Sequence, residues 1–153
     1  IPAPEQLKLQ NIVSSVLPTY QTLAERTYQQ IHVTIPGEEI VFVDGNMLKK
    51  VLSNVVLNAV QNAPPEAEIR IWSESTPDTC RLYVLNTDTH IDENILPKLF
   101  DPFYRADKAR NRKDNRSGLG LTIVQKTLGA MDADFSLDNT AEGVLFWVEL
   151  PKA

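Results

Sequence analysis

The strongest constraint in this sequence is a helical stripe near its middle. Met47, Leu48, Val51, Leu52, Val55, Val56 and Ala59 recur at three- and four-residue intervals, the spacing that lines one face of an α-helix. Asp44-Gly45-Asn46 offers turn and cap chemistry ahead of it, and Pro64-Pro65 stops it. A helix with one apolar face must bury that face against another layer of the same chain. What flanks the stripe therefore decides the fold.

From about Gln6 to Gln30, Leu9, Ile12, Val13, Val16, Leu17, Tyr20 and Leu23 form a second amphipathic pattern, with a kink or break expected at Pro18. Ile31 to Ile35 and Ile40 to Val43, on either side of Pro36-Gly37, read as strands that suit a hairpin. Glu68 to Trp72 and Arg81 to Leu85 alternate around the polar turn Ser73 to Thr79 and should pair antiparallel. A short helix is expected around Glu93 to Phe100, and Asp101 to Ser117 reads as a mobile loop without periodicity. Leu119 to Ala130 is a helix by pattern, while Phe135 to Asp138 and Val144 to Leu150 are closing strands around the turn Asn139 to Gly143. Strands and helices mix without regular alternation, which favours a two-layer α/β (α+β) sandwich over a doubly wound sheet.

The 153 residues suit a single domain, 1–153. A net charge of -5 excludes the broad basic footprint of a nucleic-acid binder, so any anion site must be local. Cys80 is the only cysteine, which rules out an internal disulfide and a multi-thiolate zinc site and suits a buried structural thiol. His32 and His90 stand far apart and offer no metal-ligand spacing. No stretch reaches the roughly 18 apolar residues needed to span a bilayer. The opening Ile1-Pro2-Ala3-Pro4-Glu5 lacks the basic and apolar sections of a secretory signal, so direct membrane contact is not expected.

Four clusters have the residue types for chemistry. Asn54 and Asn58 lie one turn apart on the stripe helix, and an amide carbonyl is a hard oxygen ligand suited to a magnesium ion held on substrate phosphates. The same spacing equally suits amides that face water. The segment Asp101 to Ser117 carries Arg105, Lys108, Arg110, Arg112, Lys113 and Arg116, six of the fifteen basic residues. Such a loop suits closure over a triphosphate, or plain solvation. Ser117-Gly118-Leu119-Gly120-Leu121 puts glycines at the opening of a helix, where backbone amides approach an anion, although glycine pairs before helices are common. Asn86 to Ile91 ends a strand, and a side chain there suits hydrogen bonding to a purine, with Ile91 packed on its face; a polar loop is the alternative.

With these clusters in order, nearly the whole chain resembles the histidine kinase branch of the ATPase superfamily that includes gyrase, the Hsp90 chaperones and MutL. Leu48 to Ala59 is similar to that family's N box, Phe100 to Arg105 to its F box, Ser117 to Val124 to its second glycine box, and Gly143 to Pro151 to its last strand. The resemblance implies the Bergerat ATP-binding fold, a mixed, mostly antiparallel sheet of about five strands on three helices, with a lid at about 101–117. By position it implies ATP and Mg2+ as cofactors, with Asn58 holding the metal and Asn54 near the phosphates. Gly118 and Gly120, with Leu119 and Leu121 between and after them, would flank the phosphates at the lid's end, Arg105 would face them and Phe103 would anchor the lid. It implies transfer of the γ-phosphoryl group to a histidine on dimerisation helices upstream. Neither His32 nor His90 has the acceptor's sequence setting, so this chain alone should not phosphorylate itself. The whole protein would be a homodimeric membrane sensor, this domain its cytoplasmic part, and a response regulator its partner.

Three departures from the family pattern stand out. The first glycine box, usually DxGxG, is matched by Asn86, Asp88 and His90, an Asn pattern that resembles the vancomycin-resistance sensors. Gln61 and Asn62 stand where Lys and then Tyr or His often contact phosphate and adenine, and Asn115-Arg116 replaces a glycine pair. These keep open a non-catalytic nucleotide-binding or docking module. An ATP-hydrolysing relative is disfavoured, because its usual glutamate base is replaced by Asn54.

Overall fold

The computed structural model describes residues 1–99 and 119–153. In chain order these form β1 (Glu5–Lys8), α1 (Leu9–Glu25), β2 (Gln30–Thr34), β3 (Ile40–Val43), α2 (Gly45–Asn62), β4 (Glu68–Ser75), β5 (Thr79–Thr87), a 3-10 turn (Leu96–Lys98), α3 (Leu119–Ala130), β6 (Phe135–Asn139) and β7 (Gly143–Pro151). Among the described residues, five strands make one sheet in the order β2-β4-β5-β7-β6, and β1 and β3 make a second, two-stranded sheet. Only the β2–β4 pairing in the larger sheet is parallel. The expected mixed, mostly antiparallel sheet under three helices is therefore observed.

The stripe helix behaves as its pattern dictates. Leu48, Val51, Leu52, Val55, Val56 and Ala59 of α2 are buried and share one cluster with Ile69, Ile71, Leu82, Val84, Phe146 and Val148 from the sheet and with Val124 and Leu128 from α3. Taking each large aliphatic side chain out of water contributes about 1.5–3 kcal/mol. α2 packs against both α1 and α3. At its far end buried Gln29 donates from Nε2 to Val60 O at 3.1 Å and Ala63 O at 3.0 Å, satisfying carbonyls in the last turn and just beyond it. Cys80 is buried, and desolvation pushes its thiol up from the ordinary range, as befits an inert structural thiol.

Asp44 caps α2. Its carboxylate accepts from Met47 N at 3.1 Å and from Ala3 N at 2.9 Å, so one side chain starts the helix and tethers the segment ahead of β1. The Ala3 and Met47 amides hold its carboxyl below the ordinary 3.8. Because the folded-state value is the depressed one, the stabilisation is complete above the ordinary value and is lost as the pH falls through the folded value. Asp44→Asn is expected to melt lower than the wild type at neutral pH, since an amide nitrogen cannot accept from Ala3. The gap should begin to narrow only below about pH 4 and close as the pH falls through the depressed folded value, which thermal unfolding across pH will read.

Three local expectations need correction. Ile31 to Ile35 and Ile40 to Val43 do not form a hairpin: β2 pairs parallel with β4, and β3 pairs antiparallel with β1. The first helix starts at Leu9, because Glu5–Lys8 is drawn into β1, and ends at Glu25 short of Gln30. Of the kink or break expected at Pro18, the break is absent: α1 runs from Leu9 to Glu25 with Pro18 inside, on its solvent side.

Candidate functional site

The site is assembled where β5 ends beneath the last turns of α2. Asn54 and Asn58 are half-buried on α2, one turn apart, while Gln61 and Asn62 are exposed at its end. Asn54 Nδ2 donates to Lys50 O at 2.7 Å, and Asn54 Oδ1 is left for other partners. Asn62 Nδ2 reaches back to Asn58 O at 2.7 Å and to Asn58 Oδ1 at 2.9 Å. A neighbour's N–H on a carbonyl oxygen orients it for a second partner on the remaining lone pair, which is how outer residues set up a metal ligand. A neutral amide oxygen presented this way fits a magnesium ion carried by phosphates.

Asn86 lies next to them. It is 7% exposed, and its Nδ2 donates to Ala59 O at 3.3 Å, one residue beyond Asn58. Its Oδ1 is buried and makes no hydrogen bond. An orphaned buried acceptor costs about 1–3 kcal/mol, so a native one calls for a reason. An exocyclic amino group of a purine is a donor of the right kind, and the second Nδ2 hydrogen remains for a ring nitrogen.

The segment after Asn86 shows how the first of the missing glycines is replaced. Asp88, at the first glycine position of the box, takes φ +58, the left-handed region that short Asp and Asn side chains tolerate better than most. The chain thus keeps the glycine's backbone shape without the glycine. Asp88→Gly is expected to raise stability by about 0.5 kcal/mol in a denaturant titration, by removing the residual left-handed penalty. Ile91 is half-buried and His90 exposed.

The turn between β6 and β7 closes one side. Gly143 lies against the backbone of Asn86 and Thr87, and Glu142 O accepts from Asp88 N at 3.1 Å. Asn139 brackets Ile91, accepting from Ile91 N at 2.8 Å and donating to Ile91 O at 2.7 Å. In the sequence this stretch shows only turn residues, because a partner 48 positions away leaves no local signal. Leu119 and Gly120 form the first residues of α3, with Leu121 half-buried behind them. Phe103, Arg105 and Gly118, with the rest of the expected lid, lie outside the described residues.

Known proteins resemble this chain in sequence and in fold. The family model for histidine kinase-, DNA gyrase B- and HSP90-like ATPases matches residues 43–153. Sensor protein VanSB of Enterococcus faecalis is 53% identical over 151 residues, 99% of this chain and 34% of that protein. Sensor histidine kinase CusS of Escherichia coli is 32% identical over 152 residues, 99% of this chain and 31% of that protein. The chain thus spans about a third of the length of these curated relatives. Among solved structures, the nucleotide-free catalytic domain of histidine kinase ThkA superposes with a TM-score of 0.85 at 24% identity, covering 98% of this chain and 96% of that one. ThkA in complex with the response regulator TrrA superposes at 0.81 and 24% identity, covering 99% of this chain and 42% of that one. At that identity the structural likeness speaks for the fold.

Proposed function

Because this chain belongs to the histidine kinase-, DNA gyrase B- and HSP90-like ATPase family and is an ATP-binding domain of the sensor histidine kinase type, we propose that it binds Mg-ATP and presents the γ-phosphoryl group to a histidine elsewhere in a longer sensor kinase. The observation that carries this reading is the buried, partnerless Oδ1 of Asn86 beside the turn of α2 that bears Asn58.

In this reading Asn86 accepts from the adenine amino group and Ile91 packs on the base. Asn58 holds the metal, with Asn62 setting its carbonyl, and Asn54 and Gln61 line the phosphate side. When bound, magnesium would neutralise charge on the phosphate oxygens. Arg105 faces the phosphates, Phe103 anchors the lid, and Gly118 to Leu121 bring backbone amides to the anion at the start of α3. Catalysis is then mostly positioning and charge stabilisation, because phosphoryl transfer asks little covalent chemistry of the protein. The acceptor helices, a homodimeric membrane sensor around them and a response regulator that takes the phosphoryl group complete the proposal. The solved ThkA–TrrA complex supports a regulator of that kind.

A second reading, a docking module of the same fold without transfer activity, is favoured by exposed Gln61 and Asn62 where charge and stacking are usual. Calorimetry of the domain with a non-hydrolysable ATP analogue, with and without magnesium, separates the two. Magnesium-dependent binding supports the kinase, and no binding supports the docking module. Appending the dimerisation helices and assaying acid-labile phosphohistidine then tests transfer.

A further inference from the structure

Asn139 is the last residue of β6, and its side chain leaves the sheet for the segment that follows Asn86. Its Oδ1 accepts from Ile91 N at 2.8 Å, while its Nδ2 donates to Ile91 O at 2.7 Å and to Glu93 Oε1 at 3.2 Å. A primary amide that takes both the N–H and the C=O of one residue imitates a paired strand and fixes that residue's orientation. Asp138 Oδ1 accepts from Asn139 N at 2.8 Å, which steadies the residue itself. At the segment's other end Asp88 N is held by Glu142 O.

The β5–β7 ladder stops at Thr87↔Gly143, and beyond it the segment also returns to β5 through Thr89 Oγ1, which donates to Thr87 O at 3.0 Å. The 139–143 hairpin tip therefore grips the chain at Asp88 and at Ile91, on the two sides of the exposed His90. We infer that Asn139 is a positioning residue for nucleotide binding: it holds Ile91 in place for the base, and so sets the adenine side of the site without touching the ligand. This rests on the proposed ATP reading.

The test compares wild type with Asn139→Ala and with the isosteric Asn139→Asp, which keeps the acceptor for Ile91 N but loses both donor bonds. Two readouts are taken: amide hydrogen exchange of the nucleotide-free domain, and calorimetry with the magnesium form of a non-hydrolysable ATP analogue. In Asn139→Ala, Ile91 should exchange at least tenfold faster while core amides of β5 keep their protection. The analogue's Kd should rise about tenfold, the scale of the two neutral hydrogen bonds lost at Ile91. Asn139→Asp should protect Ile91 better than Asn139→Ala and bind with intermediate affinity. An unchanged Kd in both variants overturns the proposal. So does a loss of affinity that tracks faster exchange throughout the core, which marks a merely structural role. If wild type binds no analogue although Ile91 exchange depends on Asn139, the ATP reading itself fails and takes this one with it.

Discussion

Gly143→Ala is expected to destabilise the domain by about 3 kcal/mol or more, lowering the melting temperature by about 10 °C. Gly143 has φ +155, and a Cβ there would sit 2.1 Å from Asn86 O and 2.8 Å from Thr87 Cα. Both contacts are backbone atoms of β5, a strand hydrogen-bonded on both sides by β4 and β7, so no side-chain rotation relieves the overlap. The strand end must move, and Asn86 moves with it. Nucleotide affinity should therefore fall beyond what the lost stability alone removes. Gly129→Ala is the control: a Cβ at that position in α3 meets nothing within 4 Å, and the helix should gain about 0.5–1 kcal/mol from the better helix former. Denaturation of both variants in parallel checks the pair, and a Gly143→Ala protein as stable as wild type would show that the close approach is not maintained in solution.

What the sequence made legible was local. Helix α3 is found over Leu119–Ala130, where the pattern put it, and α2 carries the buried stripe from Leu48 to Ala59 between the cap at Asp44 and the break at Pro64. The antiparallel pairing of β4 with β5 also follows from alternation across a short polar turn. Partner choice was less accessible. β2 and β3 are separated by a short turn, yet β2 runs parallel to β4 after a crossover that contains α2, and β3 goes to β1. Nothing in either strand's alternation specifies a neighbour so far along the chain. Gln6 to Lys8 adjoins the apolar pattern from Leu9 onward and so reads as helix, while its strand conformation comes from pairing with Ile40 to Phe42.

The site divides in the same way. Asn54 and Asn58 were visible as a one-turn pair, and Asn86 as a strand end. That Asn86 Oδ1 would be left without a partner, and that Asp88 would keep a glycine's backbone shape, are consequences of packing. Asn139 was invisible for the reason that hides any clamp: its meaning lies wholly in the residue it holds.

The second large effect belongs to Asn58. Its carbonyl accepts from Asn62 Nδ2 at 2.9 Å on a helix whose opposite face is locked into the core, so the oxygen is presented in one orientation. Truncation to alanine removes that oxygen and almost nothing else: the side chain is half-exposed, and alanine is the better helix former, so stability should stay within about 0.5 kcal/mol. Under the proposed function, the magnesium-dependent part of analogue binding should vanish, while the weaker magnesium-free binding stays within about twofold. With the dimerisation helices attached, phosphohistidine formation should slow on the order of a hundredfold or more, the scale of losing one preorganised electrostatic contact to a transferring phosphoryl group. Asn58→Asp retains an oxygen at the same place and should keep part of the magnesium effect. An Asn58→Ala protein that responds to magnesium as the wild type does would move the metal elsewhere, and the α2 face would then be a solvated helix surface.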